Sequence, residues 1–166
     1  MPLVLRMKLK FNRGKYGVKT KNQMKSTYET SSPEETQSLG REISTELMCG
    51  DCLALEGNLG AGKTIFVRGL AEGLGCDVHL VSSPTYVLVQ EYPGRNGLSF
   101  FHIDVYRMTE PEVELSDLGL EEMLENGVVA IEWADRVEKT LPRPYMRLKI
   151  EIDGEFSRRL TCQTVH

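Results

Sequence analysis

Residues 57–64 read G-N-L-G-A-G-K-T and meet every fixed position of the phosphate-binding pattern G-x-x-x-x-G-K-[ST]. The glycines lack a Cβ, so successive backbone N–H groups can turn inward and cradle a polyphosphate. Lys63 can reach the β- and γ-phosphates as a point charge, and the Thr64 hydroxyl can ligate Mg²⁺. A helix starting near Lys63 adds its N-terminal dipole to the same anion. Two acids suit such a site. Asp104 ends the strand-like run at residues 98–104, as a Walker B carboxylate does. Glu132 follows the apolar run at residues 128–131, at the strand end where open α/β sheets hold their ligands. It can bind Mg²⁺ directly or through water, or orient an attacking water. Thr85, in the connector V-S-S-P-T-Y at residues 81–86, is a candidate sensor of the γ-phosphate or its metal; an ordinary turn residue is the competing reading. Trp133 is the single tryptophan and a natural optical probe, with core packing as its bland role. His102 reads as a packed or hydrogen-bonded histidine rather than a ligand.

These residues need elements to hold them. Residues 52–56 are mostly apolar and of buried-strand length. Ile65, Phe66, Leu70 and Leu74 recur on one helical face, and Gly75 is a plausible stop. Upstream, residues 26–30 are β-prone. Ser32 as N-cap, Pro33 at N1 and Glu35 at the capping-box position open a helix that Leu39, Ile43 and Leu47 carry to about Met48. Residues 87–92 and 98–104 read as an antiparallel hairpin about a turn at 93–97. Residues 110–126 are acidic and helix-prone, with a break near Gly119, and Asn126-Gly127 reads as a turn. A short helix ends near Leu141. Residues 146–152 and 156–164 close the chain as a hairpin turning at Asp153-Gly154.

Composition narrows the class. The chain has 166 residues, 40% hydrophobic and 27% charged, which is ordinary for a single globular domain. No apolar run approaches a membrane span, and no stretch reads as a signal peptide. The formal net charge of −4 is unevenly spread. Residues 1–25 carry eight Lys or Arg and no acid, which leaves 12 basic against 24 acidic residues in the remainder. Residues 1–25 read as a basic, disordered extension or a start assigned too early, and residues 26–166 as the folded domain. A basic arm for RNA or membrane is the competing reading. The acidic body disfavours tight nucleic-acid contact and suits a basic protein surface. Cys49 and Cys52 have C-x-x-C spacing, but they sit at a helix end entering a strand and lack a second close pair. Cys49, Cys52, Cys76 and Cys162 are expected to be plain buried thiols in a reducing cytoplasm.

The order of motifs is distinctive. G-N-L-G-A-G-K-T, S-P-T-Y, H-I-D-V-Y-R, L-G-L-E-E, I-E-W and L-P follow one another from about Tyr28 to the C-terminus. In this order they resemble the TsaE (YjeE) family. The resemblance implies an α/β P-loop NTPase fold, with a mixed parallel and antiparallel sheet and helices on both sides. It implies a cytoplasmic ATPase, using ATP and Mg²⁺, that is needed to make N6-threonylcarbamoyladenosine at position 37 of ANN-decoding tRNAs. Such an ATPase acts with TsaD and TsaB, is stimulated by them, resets their complex between rounds and meets tRNA only through them. Asn58, Leu59, Gly60, Ala61, Gly62, Lys63, Thr64 and Ile65 would hold the nucleotide, with Thr85 in a switch-like segment. Thr64, Asp104 and Glu132 would serve the metal; Lys63, Asp104 and Glu132 would serve catalysis. Trp133 would lie beside the nucleotide, Thr36 near the base, and Arg158 in a C-terminal region contributing to the site. A P-loop small-molecule kinase would need an acceptor pocket and usually paired lid arginines; Arg158-Arg159 is the only adjacent pair. A GTPase would need an N-K-x-D-type signature, which is absent. A nucleotide-gated binding module is the remaining alternative.

Overall fold

The computed structural model describes residues 25–82 and 88–166. Seven strands form one sheet in the order β1-β7-β6-β2-β5-β4-β3. They are β1 (Lys25–Thr30), β2 (Cys52–Glu56), β3 (Val89–Pro93), β4 (Ser99–Asp104), β5 (Gly127–Glu132), β6 (Tyr145–Ile152) and β7 (Arg158–Val165). The centre is parallel: β2 lies between β5 and β6, and β4 runs parallel to β5. The edges are antiparallel, with β3 on β4 and with β7 between β6 and β1. Among the described residues the α-helices are α1 (Pro33–Ser44), α2 (Lys63–Gly73), α3 (Pro111–Asp117) and α4 (Leu120–Asn126).

Strand alternation builds two cores, one on each sheet face. Leu53, Leu55, Val128, Ala130 and Leu148 pack with α1 and α2. Ala54, Val129, Ile131 and Ile103 pack with residues of α3, α4 and the segment 134–141. The expected mixed sheet with helices on both sides is what the chain forms. β2 and β5 are buried on both faces, which is why they read as unbroken apolar runs.

The predicted starts and stops are met closely, with a few shifts. Ser32 caps α1 by accepting from the Glu35 N–H at 3.2 Å, and the Glu35 carboxylate accepts from the Ser31 N–H at 2.7 Å. α1 ends at Ser44 rather than near Met48. The N–H groups of Thr45, Glu46 and Leu47 bond three residues back, so the chain tightens before the Asp51 carboxylate takes the Met48 N–H. Leu47 still reaches the core. Pro93 belongs to β3 rather than to the turn, as an edge strand tolerates. Gly127 opens β5 opposite Ser99 instead of turning, and a Cβ there would lie 1.9 Å from the Ser99 carbonyl oxygen, so only glycine fits. The helix expected before Leu141 is a short 3₁₀ segment, Ala134–Val137. β7 starts at Arg158 and leaves Phe156 exposed. Cys52, Cys76 and Cys162 are buried as expected, but Cys49 is exposed.

Candidate functional site

The loop between β2 and α2 is shaped by its glycines. Gly57, Gly60 and Gly62 all have positive φ, at 156°, 76° and 105°. A Cβ on Gly57 would stand 2.7 Å from the Ile150 carbonyl oxygen. Gly62 caps α2 with no side chain on the helix N-terminus, so the first N–H groups of α2 are left without a side-chain cap. An anion suits that end through the free donors and the helix dipole. Asn58, Leu59 and Gly60 are exposed on the loop, Ala61 is buried, and Ile65 lies in the first turn of α2.

Lys63 is buried beneath this loop. Its Nζ donates to the carbonyls of Gly57 at 2.6 Å and Asn58 at 3.0 Å, and lies 3.9 Å above the Trp133 ring. Burial pushes its pKa below the usual lysine value, while the carboxylates of Glu132, Asp104 and Asp135 pull it back up. Trp133 adopts φ 61° immediately after β5 and packs against Tyr106, with ring centroids 4.6 Å apart.

The two acids arrive on neighbouring strands. β4 and β5 are parallel and in register, so Asp104 and Glu132 are direct partners at the C-terminal ends. Both share the sheet face of Phe100, Val128 and Ala130, the face on which α2 packs. Oε1 of Glu132 accepts from the Thr64 hydroxyl at 3.1 Å and contacts His102 Nε2 at 2.8 Å. Oδ1 of Asp104 accepts from the Tyr106 N–H at 2.8 Å. Burial raises the Asp104 pKa; that N–H, His102 and Lys63 oppose the rise, and Glu132 adds to it.

This donor set fits a nucleotide phosphate and Mg²⁺. The cradle is open at Gly60, where a Cβ would meet nothing within 4 Å. Thr64, Asp104 and Glu132 supply hard oxygen donors of the kind Mg²⁺ takes. Among the described residues there is no cluster of three His, Cys, Asp or Glu side chains that could hold a metal alone.

Thr36 is buried behind the loop, bonded to Thr30 Oγ1 at 2.8 Å and to the Ser32 carbonyl at 3.2 Å. Its Cγ2 lies 3.9 Å from where a Cβ on Gly62 would be. Arg158 grips the loop from outside: Nε donates to the Ala61 carbonyl at 2.9 Å and Nη2 to the Gly60 carbonyl at 3.3 Å. Its Nη1 donates to the Ser157 carbonyl at 2.8 Å, tying the β6–β7 turn to the phosphate loop. Thr85 lies outside the described residues. Thus Lys63, Thr64, Asp104, Glu132 and Trp133 converge, whereas Thr36 and Arg158 touch the loop's frame.

Three further residues support the site, of which His102 is the packed, hydrogen-bonded histidine expected from the sequence, while the sequence assigns no role there to Tyr106 and Arg136. His102 is fully buried against Glu132. Tyr106 supports Trp133. Arg136 donates to the carbonyls of Val105 at 2.6 Å, Met108 at 2.9 Å and Tyr106, fastening the segment that follows Asp104. His102 and Tyr106 stand in the motif H-I-D-V-Y-R, whereas the only sequence signal for Arg136 is its nearness to Glu132.

A family model described as threonylcarbamoyl adenosine biosynthesis protein TsaE matches residues 30–160. A Bacillus subtilis protein named tRNA threonylcarbamoyladenosine biosynthesis protein TsaE is 41% identical over 139 residues, spanning 83% of this chain and 85% of its own. The Treponema pallidum protein of the same name is 37% identical over 131 residues, spanning 78% and 94%. The crystal structure of Bacillus subtilis YdiB superposes with a TM-score of 0.71 at 34% identity, over 89% of this chain and 90% of that one. The family model spans most of the chain and the two named relatives are 41% and 37% identical over most of its length, so the chain belongs to the TsaE family.

Proposed function

We propose that the chain is a Mg²⁺-dependent ATP hydrolase serving the synthesis of N6-threonylcarbamoyladenosine at position 37 of ANN-decoding tRNAs. It works in the cytoplasm with TsaD and TsaB, turns over slowly alone, and resets their complex by hydrolysis; tRNA is met only through that complex. The observation that carries the enzymatic part is the meeting of Thr64 and Glu132 across the β2–β5 junction, with Lys63 and Asp104 beside them. The relatives' names support the pathway.

Each residue has a role. The backbone of residues 57–64 and the N-terminus of α2 bind the phosphates. Lys63 exchanges its carbonyl partners for phosphate oxygens. Thr64, with Asp104 or Glu132, holds Mg²⁺, which supplies charge neutralisation at the phosphates. Glu132 orients the water that attacks the γ-phosphate in line. Positioning and electrostatics supply most of the rate, since this chemistry asks little covalent work of the protein. Trp133, against Lys63, reports nucleotide entry by fluorescence. Thr85 is assigned to the switch-like segment, Thr36 to the base side, and Arg158 to the frame of the phosphate loop.

The test is ATP-dependent association with TsaD and TsaB, followed by Trp133 fluorescence and phosphate release. Lys63→Ala is expected to lose nucleotide binding and stimulated hydrolysis together. Glu132→Ala is expected to keep binding and lose about 100-fold or more in turnover, the usual scale for a positioned acid–base group. Wild-type turnover by Glu132→Ala in the complex would refute its assignment. ATP binding without any association would favour a small-molecule kinase, and an acceptor screen would follow. Association that needs ATP but no hydrolysis would favour a nucleotide-gated binding module.

A further inference from the structure

We propose that His102 is the positioning residue of the Glu132 carboxylate, its Nε2–H holding Oε1 so that the acid's remaining acceptor capacity, at Oε2, serves the water or the metal. This rests on the proposed role of Glu132. His102 is fully buried on β4, and Glu132 is almost fully buried on β5. The 2.8 Å contact joins them across the sheet, one pleat behind the Asp104–Glu132 pair.

The geometry assigns the tautomer. Among the described residues His102 Nδ1 is buried with no hydrogen-bond partner. A proton there would be an unsatisfied buried donor, whereas a proton on Nε2 meets a carboxylate oxygen. A proton on Nε2 therefore finds an acceptor, and one on Nδ1 finds none among the described residues.

Glu132 Oε1 receives two donors, and they differ in kind. The Thr64 hydroxyl rotates, and it sits at the first turn of α2 with a second duty toward the cation. The imidazole is locked by burial and has no other partner among the described residues. Two donors on one carboxylate oxygen take up its lone pairs and leave further accepting to the other oxygen. His102 thus fixes the rotation of the carboxylate while Thr64 adjusts to nucleotide and metal. Outer partners of metal-site ligands commonly act this way.

Three variants and one spectrum test this. His102→Phe keeps a ring and removes the donor. His102→Gln places an N–H near the Nε2 position. His102→Asn keeps a polar group too short to reach, and is the variant to read where His102→Phe does not fold. Phosphate release with the partner subunits gives kcat and KM; Trp133 fluorescence gives ATP affinity in EDTA and the Mg²⁺ concentration at half-maximal effect. The donor-less variants are expected to lose about 10–100-fold in kcat and to need more Mg²⁺, with ATP affinity in EDTA unchanged. His102→Gln is expected to recover most of both losses. In ¹⁵N spectra of the full chain, His102 is expected to carry its proton on Nε2. An Nδ1-protonated ring, or His102→Gln no better than His102→Phe, would overturn the proposal. Glu132→Ala runs alongside. If it turns over like wild type, the functional reading has failed; if it is impaired while His102→Phe and His102→Asn are not, only the His102 inference has.

Discussion

At the scale of single residues, burial decides which groups are reactive. The thiols of Cys52 and Cys162 are pushed up to about 12 and that of Cys76 to about 11, in each case mainly by burial. A thiol held that high stays protonated at neutral pH and is a poor nucleophile. Cys49 is exposed, so the C-x-x-C pair splits into one accessible and one buried sulfur. Iodoacetamide at pH 8 is expected to modify one cysteine in the native protein, Cys49, and all four after denaturation. Mass mapping that found Cys52 alkylated under native conditions would contradict this burial. At Lys63 burial is again the larger effect, but nearby charges oppose it. Burial lowers its pKa, and three carboxylates around it keep a cation favourable. The ammonium is thereby kept under the phosphate loop rather than free in solvent.

At the scale of elements, the site depends on how closely α1 and α2 approach. A Cβ on Gly69 would stand 1.9 Å from the Gln37 carbonyl oxygen, and one on Gly40 would stand 2.3 Å from that of Phe66. The helices therefore meet backbone to backbone, and α2 brings the phosphate loop with it. Gly69→Ala is expected to cost about 3 kcal/mol, the upper end for overpacking, because backbone rather than a flexible side chain must yield. Urea denaturation should show a lower midpoint with an unchanged slope. Gly154→Ala is the control. Its nearest neighbour would be 3.5 Å away, and its midpoint should barely move. The seam was not legible in the sequence. No local pattern marks Gly40 or Gly69 as a contact, because their partners Phe66 and Gln37 lie some thirty residues away. The start of α1 and the stop of α2 were legible, because Ser32, Pro33, Glu35 and Gly75 act within one turn of themselves; the end of α1 was not.

At the scale of the whole molecule, the parallel centre puts Lys63, Thr64, Asp104 and Glu132 at one end. β2, β4 and β5 all deliver their C-termini there, and α2 leaves from the same edge, where open α/β sheets hold their ligands. The antiparallel β6–β7 hairpin adds the turn from which Arg158 reaches the phosphate loop. β1 then covers β7 as the edge strand, from Lys25 onward. Removing residues 1–23 leaves all seven strands and is expected to preserve the melting temperature and nucleotide binding. Starting the chain at Ser31 removes β1, uncovers β7 and is expected to lower the melting temperature clearly. Equal melting of the two truncations would show that β1 adds nothing to the fold. Among the described residues no helix is long and apolar enough to cross a membrane.

The sequence by itself determined whatever short-range chemistry controls. The phosphate loop follows from glycines and Lys63 at fixed spacing. The β3–β4 and β6–β7 hairpins follow from period-2 runs around turn residues, and Asp104 and Glu132 follow from apolar runs that each end in an acid. Only the tertiary structure decided which strands are neighbours, because burial on both faces makes β2, β4 and β5 look alike to any local pattern. Pairing set β2 between β5 and β6, and with it the meeting of Thr64 with Glu132. It brought His102 to an acid thirty residues ahead and Arg158 to a loop nearly a hundred residues behind. Contacts of that range depend on how the whole sheet closes its two cores, and no window of residues contains that information.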